Sequence, residues 1–383
     1  MKKTLMVAAL TGVFATAAHA QSSVTLYGLV DAGLTYVNNS GGHSLWKASS
    51  GTVNGSRWGL RGAEDLGGGL KAIFTLESGF NIMNGTAGQS SRMFGRQAFV
   101  GLASNQYGAV TLGRQYDSVV DYLAPLSNTG SQYGGTIAAH PFDNDNLNNS
   151  VRFNNTVKYS SVNYAGFKFG GTYSFSNSTE FANNRAYSIG ASYNWGGLNV
   201  AAGYLQMNND VNNLANTVSG SGAQTGEWTF AAGRQRTFGG GVNYTFGPAT
   251  AGFVYTQTNL TDAVGISAAQ SGRSSTLGFG ANSARFQNFE GNVRYALTPA
   301  LSLAGAYTYT RANFGGGVNP NYNTVALQSD YALSKRTDVY LQGDWQHVSS
   351  NSEVGANLNG LGTGSASTRQ DQVAVTVGMR HRF

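Results

Sequence analysis

Apolar and polar residues alternate with a period of two along nearly all of this chain, and that pattern constrains the fold more than any other feature. Val24, Leu26, Gly28, Val30, Ala32 and Leu34 share one face of a segment whose other face carries Thr25, Tyr27, Asp31 and Thr35. Leu70, Ala72, Phe74 and Leu76 alternate with Lys71, Thr75 and Glu77. Phe289, Gly291, Val293, Tyr295 and Leu297 alternate with Glu290, Asn292 and Arg294, and near the end Val373, Val375, Val377, Met379 and Phe383 oppose Thr376, Arg380 and Arg382. Such alternation marks strands with two unlike faces. In a soluble sandwich the apolar face packs a core and the charged face meets water outside. In an outer-membrane barrel the apolar face meets lipid and the charged face lines a water-filled lumen.

Three features favour the barrel. The strands run about 9 to 14 residues, enough to cross a bilayer at the usual tilt, whereas sandwich strands run about five or six. Aromatics collect near the ends of the apolar face (Tyr173 and Phe175, Tyr193 and Trp195, Tyr244 and Phe246, Tyr307 and Tyr309, Trp345, Phe383), where ring girdles sit at the headgroup levels. Connections alternate between short ones (65–69, 104–108, 164–166, 195–197, 247–249, 298–300, 334–336) and long ones (38–55, 81–93, 117–154, 177–185, 208–233, 259–284, 313–320, 349–370). Seven short and eight long connections imply about sixteen strands, an even number that closes antiparallel and leaves no backbone donor unpaired in hydrocarbon. The expected fold is therefore all-β: a transmembrane antiparallel β-barrel with short periplasmic turns and long external loops.

The chain opens with Met1-Lys2-Lys3, an apolar stretch from Leu5 to Ala18, and Ala18-His19-Ala20. These are the charged, apolar and A-x-A parts of a cleaved signal peptide. Residues 1–20 are expected to be removed, leaving 21–383 as one barrel domain in the cell outer membrane. No second run of about 18 apolar residues offers a transmembrane helix. The chain has no cysteine, so an exported protein of this size must hold together by backbone pairing and burial without disulfides. Charged residues are 11% and aromatics 12%, a balance opposite to that of disorder. Loss of Lys2 and Lys3 takes the basic count from 24 to 22 against 18 acids, a net +4 instead of +6. With no Lys/Arg block, nucleic acid is not an expected partner.

One run breaks the alternation. Residues 117–149 span 33 positions with four aspartates (Asp117, Asp121, Asp143, Asp145), no Lys or Arg, and two of the five prolines (Pro125, Pro141). Structureless loops this long in a compact domain are usually functional. We read 117–154 as the third long loop, folded into the barrel mouth as a constriction.

Several stretches resemble the Gram-negative general-diffusion porins of the trimeric sixteen-stranded type. They are Val24-Thr25-Leu26-Tyr27-Gly28-Leu29-Val30-Asp31-Ala32-Gly33, Ser56-Arg57-Trp58-Gly59-Leu60-Arg61-Gly62-Ala63-Glu64-Asp65-Leu66-Gly67, Gly69-Leu70-Lys71-Ala72, Gly95-Arg96-Gln97-Ala98-Phe99-Val100-Gly101-Leu102, residues 108–115 and the terminal Phe383. The resemblance covers the mature chain and is strongest before residue 120. It implies a homotrimer in outer-membrane lipid, passing ions and small hydrophilic solutes. It also implies that Phe383 is the signal read by the outer-membrane assembly machinery. Loop 3 is implied to form an eyelet facing a basic ladder on the wall, with Arg57, Arg96 and Lys158 at the ladder positions. Some relatives add a basic residue after the glutamate of the third strand; here Gly79 follows Glu77 and Ser78.

Parity is a separate check. Trp58 and Leu60 outward put Arg57 and Arg61 inward, and Val157 and Tyr159 outward put Lys158 inward. On the fourth strand Phe99 outward puts Arg96 inward, with Leu102 then facing in as well. Arg114 shares parity with Val110 and Leu112 and faces out unless a bulge intervenes. The expected constriction therefore sets Arg57, Arg61, Arg96 and Lys158 against Asp117, Asp121, Asp143 and Asp145. Opposed charges across a narrow gap between low-dielectric walls focus a transverse field, and a basic wall biases a pore toward anions. A mild anion preference is expected. The alternative for the aspartates is that they only cap turns.

Other chemistry has little support. Asp143-Asn144-Asp145-Asn146 has the start of a calcium loop, but Leu147 and Asn148 stand where a ligand and a glycine belong. Gly278-Phe279-Gly280 lacks a strand-to-helix context for dinucleotides. His43, His140, His347 and His381 have no metal spacing. No cofactor or metal is expected. His140 with Asp143 is the one acid–base pair in the loop, without a nucleophile motif beside it, so no enzyme is expected. A substrate-specific porin using Tyr116, Tyr122 and Tyr133 as a sugar slide, or an adhesin or receptor barrel, are the other readings. Small outward residues, Gly28 and Ala32, place the subunit interface at the first strands and the last.

Overall fold

A computed structural model of the chain describes residues 23–131, 133–209, 222–349 and 354–383. The signal segment lies outside the described residues. Every pairing is antiparallel between chain neighbours. The sheet closes where the first strand, β1 (Ser23–Ser40), pairs with the last, β16 (Asp371–Arg382), from Leu29 opposite Arg382 to Val37 opposite Ala374. Of 18 strand segments, two share one wall position. His43–Ser50 and Arg57–Gly67 both pair with β1, along its upper and lower halves, and together form β2. Leu277–Gly278 only extends the pairing at the top of one neighbour. The wall thus has sixteen strands.

The others are β3 (Leu70–Gly79), β4 (Gln97–Ser104), β5 (Gly108–Gln115), β6 (Phe153–Ser160), β7 (Phe167–Ser174), β8 (Arg185–Trp195) and β9 (Leu198–Asn208). After them come β10 (Phe230–Phe246), β11 (Ala249–Ile266), β12 (Ser283–Ala296), β13 (Leu301–Asn313), β14 (Asn321–Ala332) and β15 (Thr337–Ser349). Short turns gather at one rim and long connections at the other.

The faces sort as the alternation requires. Leu26, Leu34, Val100, Leu112, Ile189, Leu327 and Val377 are each more than half exposed outward, while Asp31, Thr35, Thr256, Asn288, Gln342 and Thr376 are buried inward. Two expectations need correction. The 38–55 connection is not one loop, because after a turn at 41–42 His43–Ser50 returns along β1 as strand, and 51–56 then leave the sheet. Strands β10 and β11 are 17 and 18 residues long, outrunning the expected length. Near their long-loop ends the outward positions turn polar (Arg234, Arg236, Gln257, Asn259), so the hydropathy contrast fades while backbone pairing continues.

Gly28 also has a different role from the one its size suggests. Its N–H donates to the Phe383 carbonyl and the Phe383 N–H donates back, each at 3.0 Å. A Cβ at residue 28 would lie 2.3 Å from the Phe383 ring. The space left by this glycine is taken by the chain's own C-terminal ring.

Candidate pore constriction

Loop 3 leaves β5 at a bulge. The β5–β6 register shifts between Gly113 and Gln115, with Gly113 at φ 136°. Asp117 then starts a short turn, its carboxylate accepting from the N–H groups of Val119 (2.7 Å) and Val120 (3.3 Å). That turn, Val119–Leu123, buries Val119 and Leu123 against Ala201, Leu205 and Val254 of β9 and β11. Crossing the lumen, the Asn128 N–H donates to Glu290, the Gly134 N–H to Gln328, and the Thr136 N–H to the Thr52 carbonyl. The chain turns at residues 140–145 and returns to β6.

The turn is pinned twice. Phe142, in left-handed backbone at φ 64°, inserts among Phe286, Phe314 and Tyr322, with ring centroids 5.8 to 6.3 Å away. Beside it His140 Nδ1 lies 2.6 Å from Asp145 Oδ2, and Nε2 lies 3.1 Å from Glu290 Oε2. Thr256 also donates to Asp145, and Asn292 donates to Glu290. Burial alone would lower the imidazole pKa, but Asp145 and then Glu290 raise it to about 10, so His140 is a cation at neutral pH. For Asp145, burial acts upward and the His140 cation outweighs it, leaving the carboxyl below its ordinary value. The imidazole partner within the loop is thus Asp145, not Asp143.

Held this way, loop 3 lies along the inner wall of β8 to β15. The gap left open faces β2 to β6. Arg57, Arg96, Tyr116 and Arg152 line its wall side, and Thr129, Gly130, Ser131, Asn148, Asn149 and Ser150 line its loop side. Arg57 Nε donates to the Gly55 carbonyl at 3.0 Å, and among the described residues it has no carboxylate within ion-pair reach. Arg96 pairs with Glu77 at 2.7 Å and donates to the Tyr116 hydroxyl at 3.0 Å. Arg152 lies over the Tyr116 ring at 6.0 Å and 3.5 Å from Glu227. Behind it Arg114 donates to the Gly95 carbonyl, to Asn154 and to Glu227. Four arginines (57, 96, 114, 152) against two glutamates (77, 227) leave two excess positive charges around the gap.

The loop carboxylates do not face these arginines. Asp117 is fully buried and accepts from Asn146 as well as its own turn. Burial, and then Asp121, push its carboxyl up to about 6. Asp143 accepts from the N–H groups of Asn148 and Ser150, and burial with Asp145 nearby raises it to about 6. Asp121 ion-pairs directly with Lys158, whose ammonium also donates to the Tyr116 carbonyl. Lys158 points inward, opposite buried Thr111 and Thr172, but its charge is neutralised on the spot. Arg61 points inward, exposed, 5.3 Å from the Tyr27 ring.

Parity on β4 is the reverse of the expected one. Val100 and Leu102 are 59% and 50% exposed on the lipid side, and Phe99 sits opposite Thr75 on the inner face. Arg96 still reaches the lumen because it lies in the bend before β4 begins at Gln97. Arg152 and Glu227 were not foreseen. Arg152 shares even parity with Lys158 and was hidden by its place at the loop's end; Glu227 comes from a distant loop with no pattern around it. The three loop tyrosines do not form one surface. Tyr116 bonds Glu77 and Arg96, Tyr122 packs over Gly170 and Gly190, and Tyr133 stacks under Arg294 at 5.6 Å.

Comparison with known proteins agrees with this architecture. A family model described as Gram-negative porin matches residues 5–351. An outer membrane porin protein of Bordetella pertussis is 34% identical over the whole of both chains, and outer membrane porin protein 32 of Delftia acidovorans is 28% identical over the same coverage. Among solved structures, an anion-selective porin from Comamonas acidovorans superposes with a TM-score of 0.73, covering 95% of this chain and all of that one at 24% identity.

Proposed function

Because this chain belongs to the Gram-negative porin family, we propose that its water-filled outer-membrane channel favours anions, and that the arginines at the loop 3 gap set that preference. The observation that carries the reading is the excess of two positive charges around a gap whose loop side carries no charge. A fixed field of one sign in a low-dielectric wall concentrates counter-ions and repels co-ions. Small hydrophilic solutes pass with their hydration largely intact. The Bordetella and Delftia relatives are porins, and the Comamonas porin is anion-selective, which agrees in sign. Reconstitution in a planar bilayer under a potassium chloride gradient tests the sign. A reversal potential on the anion side is expected; one on the cation side refutes the proposal.

The functional unit in this reading is a homotrimer. Ile82, Met83 and Met93 are exposed apolar residues on loop 2, above the lipid-facing band, where only another protein surface would cover them. Residues 1–20 serve as the export signal, and Phe383 as the mark read by the assembly machinery. Amine cross-linking of native membranes should trap trimers; trapping monomers alone would remove the oligomer.

A further inference from the structure

The long connection between β9 and β10 sends a strap back across the barrel mouth. Residues 222–229 pass over the long-loop ends of β8 and β6 before β10 begins at Phe230. The Ala223 N–H donates to the Asn184 carbonyl at 3.0 Å, and the Asn154 N–H donates to the Ala223 carbonyl at 2.9 Å. The Gln224 N–H donates to the Asn184 side chain, whose amide donates back to the Gln224 carbonyl. Ala223 is buried in the same cluster as Leu126, Leu147 and Phe153. Loop 2 holds the far end. The Ser90 hydroxyl donates to the Gly226 carbonyl at 2.7 Å, and Arg92 donates to the Thr225 carbonyl. Gly226 has φ 68°, and a Cβ there would lie 2.9 Å from the Ser90 hydroxyl oxygen. None of these bonds uses the side chain of Glu227, so the strap is seated without it.

That side chain is turned to the constriction instead. Arg114 Nη2 donates to Glu227 Oε2 at 2.7 Å, and the Arg152 backbone N–H donates to the same oxygen at 3.1 Å. Arg152 Nη1 lies 3.5 Å from Oε1. Three N–H groups from two residues thus converge on one carboxylate, whose side chain is 8% exposed. Arg152 Nε is buried and has no partner among the described residues. Arg152 lines the gap, and Arg114 stands behind it. Two guanidinium groups and a backbone N–H aimed at one point form an anion seat, and here the occupant is a residue of the chain.

Neighbouring guanidinium groups repel unless an anion stands between them, and they recognise any oxyanion that offers two oxygens. An empty seat would therefore hold a passing divalent oxyanion. A pore conducts only what it binds weakly enough to release. We propose that Glu227 is a specificity-determining residue: a tethered anion that fills the Arg114–Arg152 seat, so that divalent oxyanions cross the gap without being retained there. Monovalent chloride, attracted about half as strongly by the same charges, is affected far less. The inference rests on the anion-favouring reading of the gap and adds the residue that sets it against divalent ions.

Planar-bilayer recording of the full-length protein in potassium chloride with added inorganic sulfate tests this. The sulfate concentration that halves the chloride current should fall about tenfold from wild type to E227Q, because the lost charge acts twice on a dianion. E227Q/R152Q, with the wild-type net charge but one arginine fewer at the seat, should lose that gain. An unchanged half-blocking concentration in E227Q, or a double variant that keeps the gain, would overturn the inference. So would a fall in conductance that is the same with and without sulfate, which is what a mere clamp on the strap would give. The wild-type reversal potential, read in the same membranes, separates the two claims. A cation-side value removes the reading of the gap and this inference with it; an anion-side value with unchanged sulfate block removes the inference alone. If E227Q gives no channels, E227D, whose carboxylate stops one methylene short of the arginines, decides by the same criterion, with a fall in the half-blocking concentration expected.

Discussion

A channel carrying Arg57→Ser and Arg96→Ser should lose its anion preference and move to or past neutrality. The two excess positive charges around the gap become none, and Glu77, freed from Arg96 at 2.7 Å, is left held by the Tyr27 and Tyr116 hydroxyls. In water-like dielectric a unit charge about 6 Å from a passing ion is worth about 0.7 kcal/mol, roughly a factor of three. That factor helps anions and hinders cations, so each arginine changes the permeability ratio by about tenfold before screening. At salt near 0.1 M, where the screening length is about 10 Å, a combined fall of about tenfold is expected in bilayer reversal potentials. A double variant with the wild-type reversal potential would remove both residues from the selectivity filter. Glu77 adds a check of opposite sign, since Glu77→Gln should raise the anion preference.

Replacing His140 with Ala should free loop 3 without unmaking the barrel. Asp145 and Glu290 would be left buried on either side of a vacated cation, and breaking a buried charge network by removing one partner costs about 3–5 kcal/mol. None of the interstrand pairing involves the imidazole, so the penalty falls on the loop's attachment. The expected result is a normally folded barrel with a noisier, larger single-channel current and faster uptake of larger sugars in liposome swelling. Quiet wild-type currents from the variant would show that the Phe142 plug alone holds the loop. Wild-type protein should show a weaker form of this with pH. A histidine raised to about 10 stabilises fully below its unfolded value near 6.5 and loses that contribution as pH rises through 10. Asp117 and Asp143, raised to about 6, act in the same direction at lower pH, because their protonated forms favour the folded loop and ionise as pH rises from about 4 to 6. Loop attachment should therefore weaken on the alkaline side, with current noise growing between about pH 7 and 11.

Much of the wall could be read from the chain because a strand's two faces obey a local rule. Val24 to Leu34 and Val373 to Phe383 each carry their orientation in their own spacing, and sixteen strands follow from counting connections. The rule fails where the backbone departs from it. At Gly113 a bulge takes Arg114 off the row of Val110 and Leu112 and buries its guanidinium among Gly95, Asn154 and Glu227. Before β4 a bend turns Arg96 inward although the strand's parity runs the other way. Above the lipid, outward positions on β10 and β11 become polar and the contrast that reveals a strand disappears.

The constriction divides along the same line. That a long acidic loop enters a basic-walled barrel was visible in residues 117–149 and in Arg57 and Lys158, because composition and parity are properties of nearby residues; Arg96 was legible only through its motif, since its strand's parity pointed the other way. Which loop groups face the gap was not, because neither parity nor composition says which donors each aspartate meets once the loop has folded against the wall. Asp145 turns to His140 and Thr256, Asp121 to Lys158, and Asp117 to its own turn and Asn146, while neutral Thr129, Ser131, Asn148 and Ser150 look across at the arginines. A buried carboxylate must find donors wherever the fold supplies them. Local alternation is enough to select the barrel and its two faces; the side of loop 3 that meets the permeating ion depends on contacts 100 or more residues apart, which exist only once the barrel has closed.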